Sequence, residues 1–403
     1  MKDTVVLITT SFPYEAVTEA SFIMPEIEAL CKEFRRVIIL PHIAEGKPAS
    51  INPKCEIYLD LTKFPSLGEK ISTFLSPRAW RTAMSDLTLD RRISTIKRSF
   101  SFTCFVNHYK KIYEDFINEK NIDLEKTLFY TFWFEFDATS LSLIKGTEII
   151  TRAHRHDVFE EGDYHFSHTW REQTLKKIKK CFVVSEIVAN YIRSKYPKVS
   201  DKISVSYLGS TPNQGLNPSK AIDSKLYLLT CARVAPEKDP LRLYSFVREF
   251  ALNYPSISIE YTWIGDGPLM GIFERSISSA PTNLSIRILG EMTNEGVHNF
   301  LSTRHQDIFL LLSHSEGMPI SICEAMSYGI PVISSNVGGI SEQLDNTGIV
   351  LCSQPCYKDF ENGMLEVMSR QSEFRIAIRE RWENYFNAYQ LRESFAKLIQ
   401  RIK

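Results

Sequence analysis

Ser313-His-Ser-Glu316-Gly317-Met318-Pro319-Ile-Ser-Ile-Cys323-Glu324-Ala-Met-Ser-Tyr-Gly329-Ile-Pro331-Val-Ile-Ser-Ser-Asn-Val-Gly338-Gly339-Ile-Ser-Glu342 is the stretch around which the rest of the chain is organised. An apolar run before it, Ile308 to Leu312, has the length and flanks of a buried parallel strand. Gly317 lets the chain turn, and Pro319 suits the start of a helix because its φ is pre-set and its missing N–H is not needed there. That helix is expected to run through Glu324 to Gly329, with Pro331 blocking extension. Val332 to Ser335 reads as the next strand, and Gly338-Gly339 as a second tight turn into a short helix.

A helix start at the carboxyl end of a buried strand presents free N–H groups where ligands of open parallel sheets bind. Glu316 precedes this helix and Glu324 lies on its second turn, so each carboxylate could accept hydrogen bonds from vicinal hydroxyls of a sugar or ribose. Phosphates on amides and hydroxyls on carboxylates together describe a nucleotide sugar. Two plainer roles fit the same residues: Glu316 as helix N-cap, and Glu324 as a solvated helix-face residue.

Glu316 and Glu324, seven residues apart within Ser-Glu-Gly-Met-Pro and Glu-Ala-Met-Ser-Tyr-Gly-Ile-Pro-Val-Ile, resemble the paired-glutamate signature of the retaining glycosyltransferases of family 4. That resemblance implies an α/β chain of GT-B fold, with two Rossmann-like, doubly wound domains facing across a cleft. It places Glu316 beside the donor sugar, Glu324 on the ribose, and the backbone near Gly317, Met318 and Pro319 on sugar and phosphates.

The chain has 403 residues, 43% hydrophobic and 24% charged, which suits two globular domains. Its net charge is zero and its pI about 7.1, so bulk electrostatics give no reason to expect nucleic acid as a partner. None of the eight cysteines forms a Cys-x-x-Cys pair, so reduced thiols are expected rather than zinc or thioredoxin-type chemistry. Met1-Lys2-Asp3 does not read as a signal peptide and no stretch is apolar enough to span a bilayer. A cytoplasmic protein, at most peripheral to the inner face of a membrane, is the expectation.

In the first half, Val5 to Thr9, a helix from about Ser21 to Phe34 (Phe22, Ile23, Ile27 and Leu30 at helical spacing) and Val37 to Leu40 make a βαβ unit. Phe12-Pro-Tyr14 with Glu19-Ala-Ser-Phe22 resembles a subgroup of the family lacking a Gly-Gly loop there, and Glu19 reads equally well as a carboxylate on a helix dipole. A helical insertion is expected over about 68–120, where Trp80, Phe100, Phe102 and Phe105 interleave with Arg78, Arg81, Arg91, Arg92, Lys97 and Arg98. Such helices could rest on an anionic membrane face, but charge alone favours a solvated basic surface on a helical insertion. Leu128 to Phe134, Ile149 to Thr151, Cys181 to Ser185 and Ile203 to Tyr207 are the remaining strands expected here.

Arg152, His154 and His156 follow one of these strands and would face the cleft of a doubly wound domain. His154 and Asp157 resemble the family's His-x-x-Asp segment, which implies a histidine near the reacting end of the sugar. His154, His156, His165 and His168 lack fixed ligand spacing, so no metal site is expected. Domain limits are expected at 1–208 and 221–380, with a Gly/Pro/Asn-rich hinge at 209–220 and a C-terminal helix at 381–403 crossing back to the first domain.

The second half opens with Leu226 to Ala232, then Arg233 and Lys238, cations that by the resemblance reach the diphosphate through charge-assisted bonds. Gly265-Asp-Gly267 after Tyr261 to Ile264 hints at a dinucleotide fingerprint, but Gly271 comes one residue late, so turn geometry is the expected role. No Asp-x-Asp occurs in the chain. The expected activity is therefore metal-independent, anomer-retaining transfer from a UDP- or GDP-sugar, needing no other cofactor, to a glycan or polyprenyl-linked acceptor in surface polysaccharide synthesis. Arg233, Lys238 and the helix starts near Gly317 and Gly338 to Gly339 would take up the leaving charge, with Glu316 and His154 at the sugar. A phosphorylase or epimerase of the same fold, or a non-catalytic sugar-nucleotide-binding protein, are the alternatives.

Overall fold

A computed structural model of the chain describes residues 1–14, 19–159, 167–211, 215–218 and 225–402. His165, and linker residues 212–214 and 219–224, lie outside them, as do the side chains of Phe22 and His156. The chain divides into two compact units, Met1–Ser206 with Arg392–Lys403, and Tyr207–Leu391.

The first unit is a seven-stranded sheet of order β3-β2-β1-β4-β5-β6-β7, all pairings parallel. Its elements run β1 Thr4–Thr9, α1 Ala20–Glu33, β2 Arg36–Pro41, β3 Cys55–Ile57, α2 Leu67–Phe74, α3 Pro77–Leu89, α4 Ser94–Glu119, β4 Thr127–Thr131 and α5 Phe136–Ser142. β5 Ile149–Ala153, α6 Arg155–Val158, α7 His168–Lys177, β6 Lys180–Val183, α8 Glu186–Lys195 and β7 Ile203–Val205 follow. Parallel strands are covered on both faces, and accordingly every residue of β1, β4 and β5 is buried. Ile23, Ile27 and Leu30 of α1 close the core against Val5, Leu7 and Ile39.

Two strands end earlier than their apolar runs. The ladder of β4 stops at Thr131, and the N–H of Phe134 instead reaches Asp157 Oδ2 at 2.8 Å. Ser185 leaves the strand to cap α8, its Oγ accepting from Val188 N. Within the helical insertion, Phe102 is core, packed with Val106 and Trp170, rather than part of an aromatic surface.

The second unit is a six-stranded parallel sheet of order β10-β9-β8-β11-β12-β13. Its elements are β8 Lys225–Cys231, α9 Pro240–Asn253, β9 Ser258–Ile264, α10 Met270–Ile277, β10 Leu284–Ile288, α11 Asn294–Thr303, β11 Ile308–Leu311 and α12 Ile320–Ser327. β12 Val332–Ser335, α13 Ile340–Leu344, β13 Ile349–Leu351, α14 Tyr357–Ser369, α15 Gln371–Tyr385 and α16 Ala388–Gln400 complete the chain. Strand order reverses between β8 and β11, which makes their carboxyl ends the crevice where such sheets take ligands.

The polar run 209–220 is not a free hinge where it is described. Ser210 N donates to Phe386 O at 3.0 Å, and buried Asn217 bonds Leu301 O and Arg304 O through its amide. Both residues therefore belong to the second unit, which begins at Tyr207. The C-terminal return also starts later than 381: α15 stays with the second unit, Trp382 buried and bonded to Ser210 Oγ at 3.0 Å, and the chain rejoins the first unit from Arg392.

Candidate active site

The loops after β8 and β11 meet side by side. Glu316 is only 8% exposed, and its Oε1 accepts from Lys238 Nζ at 2.5 Å and from Ser313 Oγ at 2.6 Å. Lys238 ends a short turn, Pro236–Lys238, and the neighbouring loop is tied to it by His314 N donating to Glu237 O at 2.9 Å. The N-cap reading of Glu316 fails: the N-cap position of α12 is Pro319, without a side-chain cap, so the carboxylate is left for other work.

Gly338 and Gly339 hold this arrangement from below. Gly338 has φ +56°, and a Cβ there would lie 2.0 Å from the carbonyl oxygen of Glu316. Gly339 N donates to Gly317 O at 2.7 Å. The two glycines thus let the backbone of one strand-to-helix turn lie directly on that of the next. Gly265 does the same for the Arg233 loop, since its Cβ would meet Ala232 O at 2.1 Å. The glycines of 265–267 serve backbone packing.

Glu324 is buried, not solvated. Asn294 Nδ2 donates to its Oε1 at 2.9 Å, and burial pushes its carboxyl up to about 7 despite that bond. Met318 is also buried. Arg233 stands apart from these groups, 69% exposed, with NH1 3.5 Å from Glu237 Oε1. The second unit therefore brings Glu316 and Lys238 together with Gly317, Gly338 and Gly339, keeps Glu324 one helical turn further in, and leaves Arg233 on the rim. Ser313 and Asn294 escaped the sequence reading; a serine and an asparagine carry no signal until folding sets them against the two glutamates.

In the first unit, Asp157 is 5% exposed and its two oxygens take His154 N at 2.5 Å and Phe134 N at 2.8 Å. It joins the ends of β4 and β5 rather than offering a free carboxylate. The His154 ring lies 4.3 Å from Trp133 and 5.0 Å from Phe132, centroid to centroid, with Nδ1 3.8 Å from Asp157 Oδ2. Arg152 does not join it: wholly buried, it pairs with Glu26 at 3.2 Å and bonds Tyr130 OH at 2.8 Å.

Glu19 is no mere dipole partner. Its carboxylate accepts from Ser11 N at 2.5 Å, Phe12 N at 2.7 Å and Trp133 Nε1 at 2.8 Å, so it orders the loop after β1 against the end of β4. At the same strand ends, a cavity of about 190 Å³ is lined by Thr10, His42, Tyr109, Trp133, Phe136 and Asp137. His42 Nε2 lies 2.9 Å from Asp137 Oδ2, whose other oxygen accepts from Tyr113 OH at 2.7 Å. Among the described residues no group of three or more His, Cys, Asp or Glu side chains is placed to hold a metal ion.

Two Rossmann-like units with a built strand-end crevice define the class, and over residues 216–386 the chain matches the family model described as glycosyl transferases group 1. That match lies within the second unit, and the fold is that of the GT-B glycosyltransferases. The chain is 30% identical over 148 residues to one component of the human phosphatidylinositol N-acetylglucosaminyltransferase, covering 37% of this chain and 29% of that protein. It is 29% identical over 154 residues to the amylovoran biosynthesis glycosyltransferase AmsK of Erwinia amylovora, covering 36% and 37%. The chain thus spans about a third of the length of these curated relatives. Among solved structures, Anabaena Alr3699/HepE in complex with UDP matches with TM-score 0.63 and 14% identity, over 99% of both chains.

Proposed function

We propose that this chain transfers a sugar, with retention at the anomeric carbon, from a UDP- or GDP-sugar to a glycan or lipid-linked acceptor. The observation that carries the reading is Glu316, buried at the strand-order reversal and held by Lys238 and Ser313 beside the uncapped start of α12. The family match over this region, the names of the curated relatives and the UDP bound in the Anabaena structure support it. A surface-polysaccharide acceptor follows from the analogy with the amylovoran enzyme.

In this reading the diphosphate lies on the amides of α12 and on Lys238 and Arg233, and the ribose hydroxyls donate to Glu324. The C1–O bond to the β-phosphate breaks, the acceptor oxygen bonds C1 on the same face, and its proton passes to the departing phosphate oxygen. Glu316 orients and polarises the sugar; fixed cations and amides stabilise the leaving charge without a divalent ion. His154 serves the sugar, and the aromatic cavity beside His42 takes the acceptor.

A screen of nucleotide sugars by calorimetry, followed by product analysis, tests the reading: one UDP- or GDP-sugar should bind and its sugar should move to an acceptor. Conversion of donor alone into an epimer would replace transfer by epimerisation, and loss of turnover on chelation would end the metal-free mechanism. Arg233→Ala is expected to weaken binding of the intact donor about tenfold, because one charge-assisted phosphate contact disappears. Unchanged calorimetric affinity would remove Arg233 from the diphosphate.

Glu324 adds a pH dependence. Its carboxyl is raised, so from the ordinary carboxylate range up to about 7 the folded chain holds a proton the unfolded chain has lost, and stability falls as pH rises across that window. Only the ionised form accepts from both ribose hydroxyls, so affinity for a nucleotide sugar should rise with pH through the same neutral range. Glu324→Gln should flatten both slopes. A wild-type-like pH profile of affinity in that variant would exclude the ribose role.

A further inference from the structure

Helices α2 and α3 are built inside out. The buried residues of α3 are Ala79, Thr82, Ala83 and Asp86, and Asp86 faces inward to accept from Ser167 Oγ at 2.5 Å and Thr169 N at 2.9 Å. The large apolar side chains point the other way, with Trp80 41% and Met84 50% exposed. In α2 only Thr73 is buried, whereas Leu67, Ile71 and Phe74, with Leu75 at the C-cap, are 53% to 73% exposed. Their spacing puts them on one face. The two apolar faces are joined: the Trp80 ring lies 5.4 Å from Phe74, and its Nε1 donates to Phe74 O at 2.8 Å. Of the twenty large hydrophobic residues most exposed in the described chain, ten fall between Leu59 and Ile93.

Charge says what covers this patch. Lys70, Arg78, Arg81, Arg91, Arg92 and Lys97 are exposed around it. The acids of the same segment are engaged: Glu69, its side chain 40% exposed, by His108 at 2.8 Å, Asp86 by Ser167 and Thr169, and Asp90 by Arg92 at 2.9 Å and Arg98 at 2.5 Å. An apolar face ringed by cations, where the most exposed acid between residues 63 and 97, Glu69, is held by His108, is complementary to an anionic lipid surface. A second copy meeting it across a two-fold axis would oppose cation to cation. No helix among the described residues is long and apolar enough to cross a bilayer, so the contact is one of lying on the surface.

We propose that α2 and α3 dock the chain on an anionic phospholipid bilayer, with Leu67, Ile71, Phe74 and Leu75 at the acyl boundary and the flanking cations on the headgroups. The proposal concerns binding alone, so its failure and the failure of the transferase reading are separate results. The full chain is floated with phosphatidylcholine vesicles and with vesicles containing about one third phosphatidylglycerol. Binding to the anionic vesicles should be at least about tenfold tighter and should weaken with salt.

I71S/F74S/L75S, replacing three exposed side chains, should lose about tenfold or more in affinity with unchanged circular dichroism and melting. K70Q/R81Q should lose a similar factor on anionic vesicles only. No binding, equal binding to both vesicle types, or full binding by the triple variant overturns the proposal. So does self-association of the wild type that the triple variant abolishes, which would assign the face to a second copy.

Discussion

Glu316→Ala is expected to abolish sugar transfer while the nucleotide stays bound. The carboxylate is 8% exposed and held by Lys238 at 2.5 Å and Ser313 at 2.6 Å, so its position does not depend on chance rotamers. In the proposed mechanism, alanine removes the group that orients the sugar and offsets positive charge developing at its anomeric carbon. A preorganised charge of this kind is worth about a thousandfold in rate. Nucleotide binding should move the other way or not at all, because Lys238 loses its intramolecular partner and its whole charge becomes available to phosphate. Glu316→Gln, which keeps the shape and the contact with Ser313, separates charge from packing and should be nearly as inactive. Single-turnover assays with calorimetry check both halves; turnover within tenfold of wild type in either variant would take Glu316 out of the chemistry.

The second large effect comes from a residue with no side chain. In Gly338→Ala the new Cβ would sit 2.0 Å from the carbonyl oxygen of Glu316 and 2.9 Å from that of Gly317, at φ +56°. Both obstacles are backbone, so no rotamer change relieves them; either the turn or the Glu316 loop must move. The left-handed conformation alone costs roughly 1 to 2 kcal/mol, and displacing a reacting group by about 1 Å costs on the order of a hundredfold in rate. Turnover should therefore fall about a hundredfold or more, with a lower melting temperature, although residue 338 carries no chemistry itself. Gly271→Ala is the control: its Cβ would meet nothing nearer than the flexible end of Arg275, at 3.7 Å, within α10. That variant should bind nucleotide and turn over as the wild type does. A harmless Gly338→Ala would mean that the two turns are not in mutual contact in solution.

How far the sequence reached can be judged at these same residues. The buried strands were legible because parallel strands, covered on both faces, read as unbroken apolar runs such as Val5 to Ile8 and Ile308 to Leu311. The helix after Pro319 was legible from proline and glycine, whose backbone restrictions act locally whatever surrounds them. Boundaries went astray where a distant group captured the chain, as when Asp157 takes the N–H of Phe134, or when Asn217 and Ser210 tie a hinge-like run into the second unit. Composition cannot show such partners.

The same division holds for the candidate site. Residue type and spacing supplied the two glutamates, the glycine pair and the parallel α/β class, because each is a local property of the chain, while the cations of the β8 loop were picked out by the family resemblance. Only the tertiary structure decided that Glu316 faces Lys238, that Glu324 is buried on Asn294, that Arg152 is an inward ion pair and that Glu19 orders a loop. It also decided that the apolar residues of α2 and α3 point outward. Those facts turn on which groups long-range packing removes from water, and desolvation is a property of the folded neighbourhood rather than of any segment of chain.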